Sequence, residues 1–316
     1  MKKLLLAPLA LAASLGASAA LADITVYTAG PANLIENLTA GFTAKTGIKV
    51  AVFQGTTGKV MARLEAEAAN PMADVVISAS WDTATTFASE GKLLAYTSPN
   101  AEKVPDFLKT DTAVAQGVSA LAIAWNPKSG LPRPADWTDL AAPAYKDMVT
   151  LPDPAKSGSM FELVAALDSA LGPQTFDDLA ANGAIVAGAN ADALNPVLQG
   201  AKAAVFGAVD YISLAAAQKG ESIEVIFPTS GTVVAPRPAM ILKTSKQPGE
   251  AKQFIDYMLS DEGQAMVADT YLMPARTDVA AKRPRIDELT LIDFNAATAY
   301  GARAETLGAF AKSFAH

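Results

Sequence analysis

Short apolar runs alternate with amphipathic helical patterns near the start of the chain. Residues 24–27 form an apolar run that predicts a strand, and residues 49–53 predict the next one. The segment between them opens with Pro31 and stops at Gly47. Its apolar residues lie three and four positions apart, which predicts a helix that buries Leu34, Ile35, Leu38 and Phe42. A strand, a helix and a strand in this order predict a parallel sheet.

The same alternation continues and completes a first lobe. A helix is predicted over 59–69, a strand over 74–77 and a helix over 81–89, with a break at Asn70 and Pro71. Helices that connect parallel strands cover both faces of the sheet. The pattern therefore predicts a doubly wound α/β lobe.

A second α/β lobe is predicted after a connection that is rich in proline. The apolar run 119–125 predicts a strand, and the prolines in 127–154 predict a crossover without regular structure. The remaining elements of this lobe are predicted as a helix over 159–171, a strand over 203–206, a helix over 210–219 and a strand over 223–227.

The chain then returns to the first lobe. Residues 231–242 predict a long extended segment, and helices are predicted over 249–259 and 261–268. We therefore predict an α/β fold of two doubly wound lobes joined by a hinge. The predicted division is a signal peptide over 1–22, the first part of lobe 1 over 23–118, lobe 2 over 119–231, and the return crossing, the rest of lobe 1 and C-terminal helices over 232–316.

The first residues have the pattern of a secretory signal peptide. Lys2 and Lys3 precede an apolar run over 4–15, and small residues follow up to Ala22. The run is shorter than the roughly 20 residues that a membrane-spanning helix needs. We expect cleavage after Ala22 and a mature chain in the periplasm. Because no cysteine follows the cleavage site, we expect no thioether-linked lipid anchor.

Composition excludes several classes of enzyme. The chain of 316 residues has no cysteine and one histidine, which is the last residue, His316. A Ser-His-Asp hydrolase, an H-E-x-x-H metalloprotease and a thiolate-based site all need side chains that are missing here. The formal net charge of −7 argues against nucleic acid as a partner, because phosphate-backbone binding needs clustered cations. We predict no catalytic residue, no cofactor and no bound metal, and we expect a monomer.

Candidate ligand-binding residues follow the predicted strands. Ligands of open α/β sheets lie outside the carboxyl ends of the strands, and here those loops are rich in small hydroxylic residues. The first backbone N–H groups of a helix carry positive partial charge, so helix starts with Ser and Thr suit an anion, although N-capping alone also explains such residues. The candidates in these loops are Thr28, Thr56, Thr57, Gly58, Ser78, Ser80, Trp81, Ser157, Gly158 and Ser159.

Three further candidates lie in the second half of the chain. Asp210 and Tyr211 open a predicted helix, where Asp210 is a potential N-cap and Tyr211 a potential cleft residue. Arg237 lies between two prolines in the returning segment, where its guanidinium can clamp a phosphonate, phosphate or carboxylate. Residues 55–59 lack the Walker A spacing, which excludes that type of nucleotide site.

Several segments together resemble periplasmic solute-binding proteins of ABC importers. The resemblance is to the type II group, which contains the ferric-iron-binding and 2-aminoethylphosphonate-binding proteins. It implies two lobes, a ligand held between them and delivery of the closed complex to a membrane permease. The segments that carry it are 26–28, 70–75, 90–93, 125–126, 136–140, 219–221, 227–232 and 259–264.

The nature of the ligand stays open between two main alternatives. Ferric-binding relatives use adjacent tyrosines in the second lobe, whereas residues 208–211 contain Tyr211 alone. The hydroxyl-rich loops and Arg237 favour a small phosphonate or phosphate ester, with iron(III) as the alternative and other anions or organic cations as the remaining ligand classes. A secreted enzyme on the same fold is a third hypothesis, and a sensory or scaffold module that binds a membrane receptor is a fourth.

Overall fold

The computed structural model describes residues 23–172 and 174–315. The predicted signal peptide and His316 lie outside the described residues. The first elements along the chain are β1 (Ile24–Thr28), α1 (Ala32–Thr46), β2 (Val50–Gln54), α2 (Thr57–Ala66), β3 (Val75–Ile77), α3 (Asp82–Ser89) and β4 (Ala113–Trp125). They are followed by β5 (Val149–Leu151), α4 (Gly158–Leu171), α5 (Gln174–Ala181), β6 (Ile185–Val186), α6 (Asn190–Leu198), β7 (Ala204–Val209) and α7 (Asp210–Gln218). The last are β8 (Glu224–Ile226), β9 (Val234–Ile241), α8 (Pro248–Met258), α9 (Asp261–Asp269), β10 (Met273–Pro274), α10 (Ala296–Gly301) and α11 (Arg303–Ser313).

The first lobe is built on a sheet in which β1 lies between β2 and β3, parallel to both. The parallel arrangement confirms what the strand, helix and strand pattern predicts. Helix α1 buries Leu34, Ile35, Leu38 and Phe42, the face that the apolar spacing predicts. Gly47 ends this helix in the left-handed conformation, with φ 79°. The ring of Phe42 packs edge-on against Phe254 of α8, with centroids 5.4 Å apart.

Two long strands connect the lobes. Strand β9 lies within the predicted extended segment 231–242 and pairs antiparallel with β3 and with the first part of β4. The second part of β4, from Leu121, pairs with β7 and β8 of the second lobe. The sequence pattern predicted the start of this strand at Ser119, which is wrong by six residues. Gln116 and Gly117 interrupt the apolar run, but the sheet accommodates them with a break in register between Ala115 and Val118.

The second lobe combines β4 with a short parallel set of strands. Strand β5 lies between β6 and β7 and is parallel to both, while β4 is antiparallel to β7. The proline-rich connection contains 3-10 helices at Pro127–Ser129, Trp137–Ala141 and Pro143–Tyr145 and then β5, so the prediction of no regular structure there is wrong in part.

The sequence pattern does not predict helix α6, and it predicts C-terminal helices without giving bounds for any beyond residue 268. Helix α6 carries Pro196 in its interior, which argues against a helix when only the sequence is read. The C-terminal helices α10 and α11 pack on α4, and α11 also packs on α5. In the described part of the chain, no helix has the length and apolar character needed to cross a membrane. The residue boundaries of the two lobes stay a prediction.

Candidate functional site

A cleft of about 820 Å³ lies between loops of the two lobes. The first lobe contributes the loop after β1 at Ala29, Gly30 and Pro31, and the loop after β2 from Gln54. The second lobe contributes the start of α4 and faces of α6 and α7. Its volume falls in the range of about 300–1,000 Å³ that is typical of small-molecule sites.

Six of the residues predicted from the sequence line this cleft. They belong to the starts of α2 and α4, to α7 and to β9, and they are Thr56, Thr57, Ser157, Gly158, Tyr211 and Arg237. Their placement is that expected for ligand contacts, and the contacts themselves stay a prediction. The other predicted residues do not line it.

The starts of α2 and α4 meet at the cleft from opposite lobes. The Thr56 hydroxyl caps α2 by accepting from Lys59 N at 3.3 Å, and the Ser157 hydroxyl caps α4 by accepting from Met160 N at 3.2 Å. The remaining N–H groups of a first helical turn have no partner within the helix. The two helices, of 10 and 14 residues, therefore bring two positive dipole ends to one space.

Thr57 adds a hydrogen-bonding group beside these helix starts. Its Oγ1 is buried and has no hydrogen-bond partner among the described residues. A buried hydroxyl without a partner is destabilising by about 1–3 kcal/mol. A ligand oxygen in the cleft would satisfy it.

Arg237 is a buried cation on the wall of the cleft. Its residue is 1% exposed, and its terminal nitrogen NH2 donates to the carbonyl of Ala29. The Nε atom has no hydrogen-bond partner, and no carboxylate of the described residues forms an ion pair with the guanidinium. Burial lowers the pKa of Arg237, yet a guanidinium stays protonated in proteins. The cleft wall therefore holds a positive charge that forms no direct ion pair among the described residues.

Tyr211 faces the same space. Its ring lies 5.8 Å from the Arg237 guanidinium carbon, and its hydroxyl makes no hydrogen bond to other described residues. Burial raises the pKa of the phenol, while the charge of Arg237 opposes that rise. Tyr211 is therefore a neutral hydrogen-bond donor at neutral pH.

Asp210 points away from the cleft. Its carboxylate is fully buried and forms an ion pair with Arg283, and it accepts from Ala120 N at 2.8 Å and from Tyr211 N at 2.7 Å. Its position therefore does not support the prediction that Asp210 is a ligand-binding residue. The ion pair holds the start of α7 against β4 and the C-terminal segment.

The remaining predicted hydroxyls are engaged within the protein. Thr28 Oγ1 accepts from Gly30 N at 2.9 Å, and the Ser78 hydroxyl lies 2.7 Å from Thr83 Oγ1. The Ser159 hydroxyl lies 3.2 Å from that of Ser157. These groups shape the loops around the cleft and do not line it.

Ser80 and Trp81 contact a carboxylate of the other lobe. The Ser80 hydroxyl donates to Glu162 Oε1 at 2.7 Å, and the Trp81 backbone N–H donates to the same oxygen at 3.0 Å. Glu162 belongs to α4, so the loop after β3 is connected to the second lobe through a residue that no sequence pattern marks.

Two glycines allow the lobes to approach each other. A Cβ atom on Gly158 would lie 2.9 Å from Ser80 Cβ and 3.0 Å from Thr57 Oγ1. A Cβ atom on Gly58, which does not line the cleft, would lie 2.9 Å from the Ala155 carbonyl oxygen. Real Cβ contacts do not come so close, so both positions need glycine because of close packing between lobes.

Several residues of the cleft were missed. Asn190 and Asn195 lie on α6, a helix that was not predicted. Tyr271, which also lines the cleft, has φ 63°, a left-handed conformation that is uncommon for a non-glycine residue. Gln54 was visible at the end of a predicted strand, and its Nε2 donates to the Gly30 carbonyl at 3.0 Å.

The charges in the cleft favour an anion over a cation. Among the described residues, no group of three or more His, Cys, Asp or Glu side chains is placed to hold a metal ion. Asp269 lines the cleft but forms an ion pair with Lys282 at 2.8 Å. The buried charge in the cleft wall is that of Arg237, so the arrangement can bind and orient a small oxyanion.

Comparison with known families and relatives agrees with a binding protein. A model of the family described as "Bacterial extracellular solute-binding protein" matches residues 70–296. The chain is 24% identical over 253 residues to a protein of Salmonella typhimurium named "Putative 2-aminoethylphosphonate-binding periplasmic protein", which covers 75% of this chain and 73% of the relative.

Solved structures share the fold over nearly the whole chain. The periplasmic binding protein AfuA from Actinobacillus pleuropneumoniae, with fructose-6-phosphate bound, superposes with a TM-score of 0.85 at 22% identity, over 93% of this chain and 98% of that one. Iron-bound HitA from Pseudomonas aeruginosa gives a TM-score of 0.81 at 24% identity, over 92% and 99% of the two chains. These likenesses confirm the predicted two-lobed type II periplasmic-binding-protein fold.

Proposed function

The chain belongs to the family of bacterial extracellular solute-binding proteins, and from this premise we propose that its cleft captures a small organic phosphonate or phosphate ester. The bound solute is then delivered to the membrane permease of an ABC importer. 2-Aminoethylphosphonate is the first candidate, because the relative from Salmonella typhimurium carries that name. The protein binds the solute, and no covalent bond is made or broken.

One observation carries the proposal: the buried Arg237 guanidinium forms no direct ion pair with a described residue, and it lies in a cleft where two helices begin. An unpaired buried charge is strongly destabilising, and an anionic ligand compensates it. Phosphonate and phosphate oxygens match the planar fork of a guanidinium and the free N–H groups of a helix start.

Contacts from both lobes explain how the solute closes the protein. Thr57 belongs to the first lobe, and Ser157 and Gly158 to the second. A ligand that touches both lobes stabilises the closed state by its difference in affinity between closed and open states. The permease would recognise that closed state.

An iron(III) ligand is the second candidate, and the site favours it less. Iron(III) needs several anionic oxygens, and the cleft offers the phenol of Tyr211 next to the cation of Arg237. Burial raises the pKa of that phenol and so opposes formation of a phenolate. The same charge that attracts a phosphonate repels a metal cation.

The periplasm is the proposed location. The predicted signal peptide supports it, and so does the periplasmic name of the Salmonella typhimurium relative.

A ligand screen tests the proposal directly. Purified protein, refolded to remove carried-over ligand, is mixed with 2-aminoethylphosphonate, phosphate esters, inorganic phosphate or ferric citrate, and thermal unfolding is recorded. A ligand at about 100 times its Kd stabilises the native state by about 2.7 kcal/mol, so we expect a clear rise of Tm with a phosphonate or phosphate ester. Stabilisation by ferric citrate alone, with a visible absorption band lost in Tyr211→Phe, would overturn the anion proposal.

Substitution of Gly158 by alanine tests whether closure is needed for binding. The added Cβ meets Ser80 and Thr57 across the lobes, and such overpacking typically destabilises by about 1–3 kcal/mol. We expect the affinity for the stabilising ligand, measured by calorimetry, to fall by roughly tenfold. The matched control is Gly308→Ala in α11, where an added Cβ meets nothing within 4 Å. It should leave affinity unchanged, and equal affinities in both variants would contradict the closure model.

A further inference from the structure

A second polar cluster joins the two lobes outside the cleft lining. Its centre is the carboxylate of Glu162 on α4, whose residue is 1% exposed. Oxygen Oε1 accepts from the Ser80 hydroxyl and the Trp81 backbone N–H, both in the loop after β3. Oxygen Oε2 accepts from the Tyr300 hydroxyl at 2.8 Å. The carboxylate therefore receives three donors from two other parts of the chain.

The C-terminal helices extend this contact into a strap across both lobes. Helices α10 and α11 pack on α4 of the second lobe. Arg303, the first residue of α11, forms an ion pair at 2.9 Å with Asp82, the first residue of α3 in the other lobe. The guanidinium of Arg303 also lies 4.1 Å from the centre of the Phe161 ring. Separation of the lobes would break the contacts of both Glu162 and Asp82.

Few other charges face this cluster. Strands β4 and β7, which pack beneath α4, contain no titratable residue, and β9 contains Arg237 alone, whose charge acts on Tyr211 and Asp210. Helix α5 contributes Asp177 and Asp178, which are exposed, and α11 adds the exposed Glu305 and Lys312. The charged neighbours of Glu162 that matter are therefore Asp82 and its partner Arg303.

The environment of the Glu162 carboxyl favours its neutral form. Burial raises its pKa from 4.5 to about 7, against the opposing hydrogen bonds from Ser80, Tyr300 and Trp81, and the charge of Asp82 raises it further. Burial also raises the pKa of Asp82, which Arg303 opposes. In an open state, where water reaches these groups, a glutamate returns to its usual range near 4.3.

We propose that Glu162, with Ser80, Trp81, Asp82, Tyr300 and Arg303, forms an interlobe latch that couples closure of the protein to uptake of a proton. The latch rests on the proposed function only in that the lobes separate and close around a solute. The Glu162 carboxyl binds its proton more tightly in the closed state than in the open state. The stabilisation of the closed state by this proton is therefore fully present below the pKa that Glu162 has in the open state. It is lost as pH rises through the pKa of the closed state. Closure is therefore favoured near pH 5 and disfavoured near pH 8.

The test measures closure without any ligand. The chain has no cysteine, so Glu65→Cys and Gln199→Cys, at exposed positions on the two lobes, give two unique sites for spin labels. Pulsed distance measurements at pH 5 and pH 8 report the closed fraction. Each pKa unit between closed and open states is worth a tenfold change in the closing equilibrium. We expect the ratio of closed to open protein to fall by about tenfold or more between these two values of pH.

Glu162→Gln removes the titratable carboxyl group but keeps a hydrogen-bond acceptor for Ser80 and supplies a donor to Tyr300. We expect its closed fraction to be high and the same at pH 5 and pH 8. The matched control is Glu305→Gln in α11, an exposed glutamate, which should keep the response of the unmodified protein. A pH response in Glu162→Gln equal to that of the control would overturn the latch.

Tyr300→Phe provides a second, independent variant. The Tyr300 hydroxyl stabilises the ionised carboxylate, so its removal should move the midpoint of the closure transition to higher pH. An unchanged midpoint would contradict the proposal even if Glu162→Gln failed to fold. Binding of 2-aminoethylphosphonate is then compared at pH 5 and pH 8 in the unmodified protein and Glu162→Gln. Absence of phosphonate binding would overturn the proposed ligand and leave the label distances as the separate test of the latch.

Discussion

Arg237→Met is expected to remove most of the affinity for the anionic solute while the empty protein stays folded. Truncation of one partner of a buried, hydrogen-bonded charge pair weakens binding by about 2–5 kcal/mol, which corresponds to roughly 30-fold to several-thousand-fold in Kd. Methionine fills similar space without a charge, and Arg237 forms no direct ion pair with a carboxylate of the described residues. The empty variant should therefore unfold at the same temperature as the unmodified protein, or higher.

The comparison between binding and stability makes this prediction specific. Calorimetric titration with the stabilising phosphonate or phosphate gives the affinity, and thermal unfolding without ligand gives the stability. Arg133→Met is the matched control, because Arg133 is an exposed arginine of the second lobe that pairs with Glu224. Exposed ion pairs contribute little energy, so Arg133→Met should change the affinity by less than twofold. Lower stability with unchanged affinity in Arg237→Met would show that the guanidinium supports the fold and does not bind the solute.

Asp210→Ala is expected to cause the largest loss of stability. It leaves Arg283, whose side chain is fully buried, without its carboxylate partner. Loss of one member of a buried ion pair destabilises by about 3–5 kcal/mol. For a chain of this size, that corresponds to a fall in Tm of roughly 6–20 °C, measured by calorimetry or circular dichroism.

Two variants serve as controls for the ion pair. Glu224→Ala removes a partner of the exposed Arg133 and should lower stability by less than about 1 kcal/mol. The double variant Asp210→Asn with Arg283→Met removes both charges and keeps an acceptor for Ala120 N, so it should recover much of the loss. If Asp210→Ala and Glu224→Ala unfold at the same temperature, the ion pair between Asp210 and Arg283 contributes little to stability.

The sequence pattern predicts some of the residues that line the cleft but not the role of each. Hydroxylic residues after strands predict ligand contacts, and Thr57, Ser157 and Arg237 line the cleft. That they bind the ligand stays a prediction. The pattern did not separate Tyr211, which lines the cleft, from its neighbour Asp210, which pairs with Arg283 on the other side of the helix start. Adjacent residues at a helix start point in different directions, so their roles depend on what packs around them.

The sequence by itself determined the local elements and the fold class. Apolar spacing, helix caps such as Thr56 and Ser157, and the stop at Gly47 depend on neighbours within a few positions, so they can be predicted locally. Only the tertiary structure decided which groups meet. Ser80 reaches Glu162 across 82 positions and Asp210 reaches Arg283 across 73. Such contacts arise from the packing of two lobes and the C-terminal helices, and no local pattern encodes which buried polar groups will face each other.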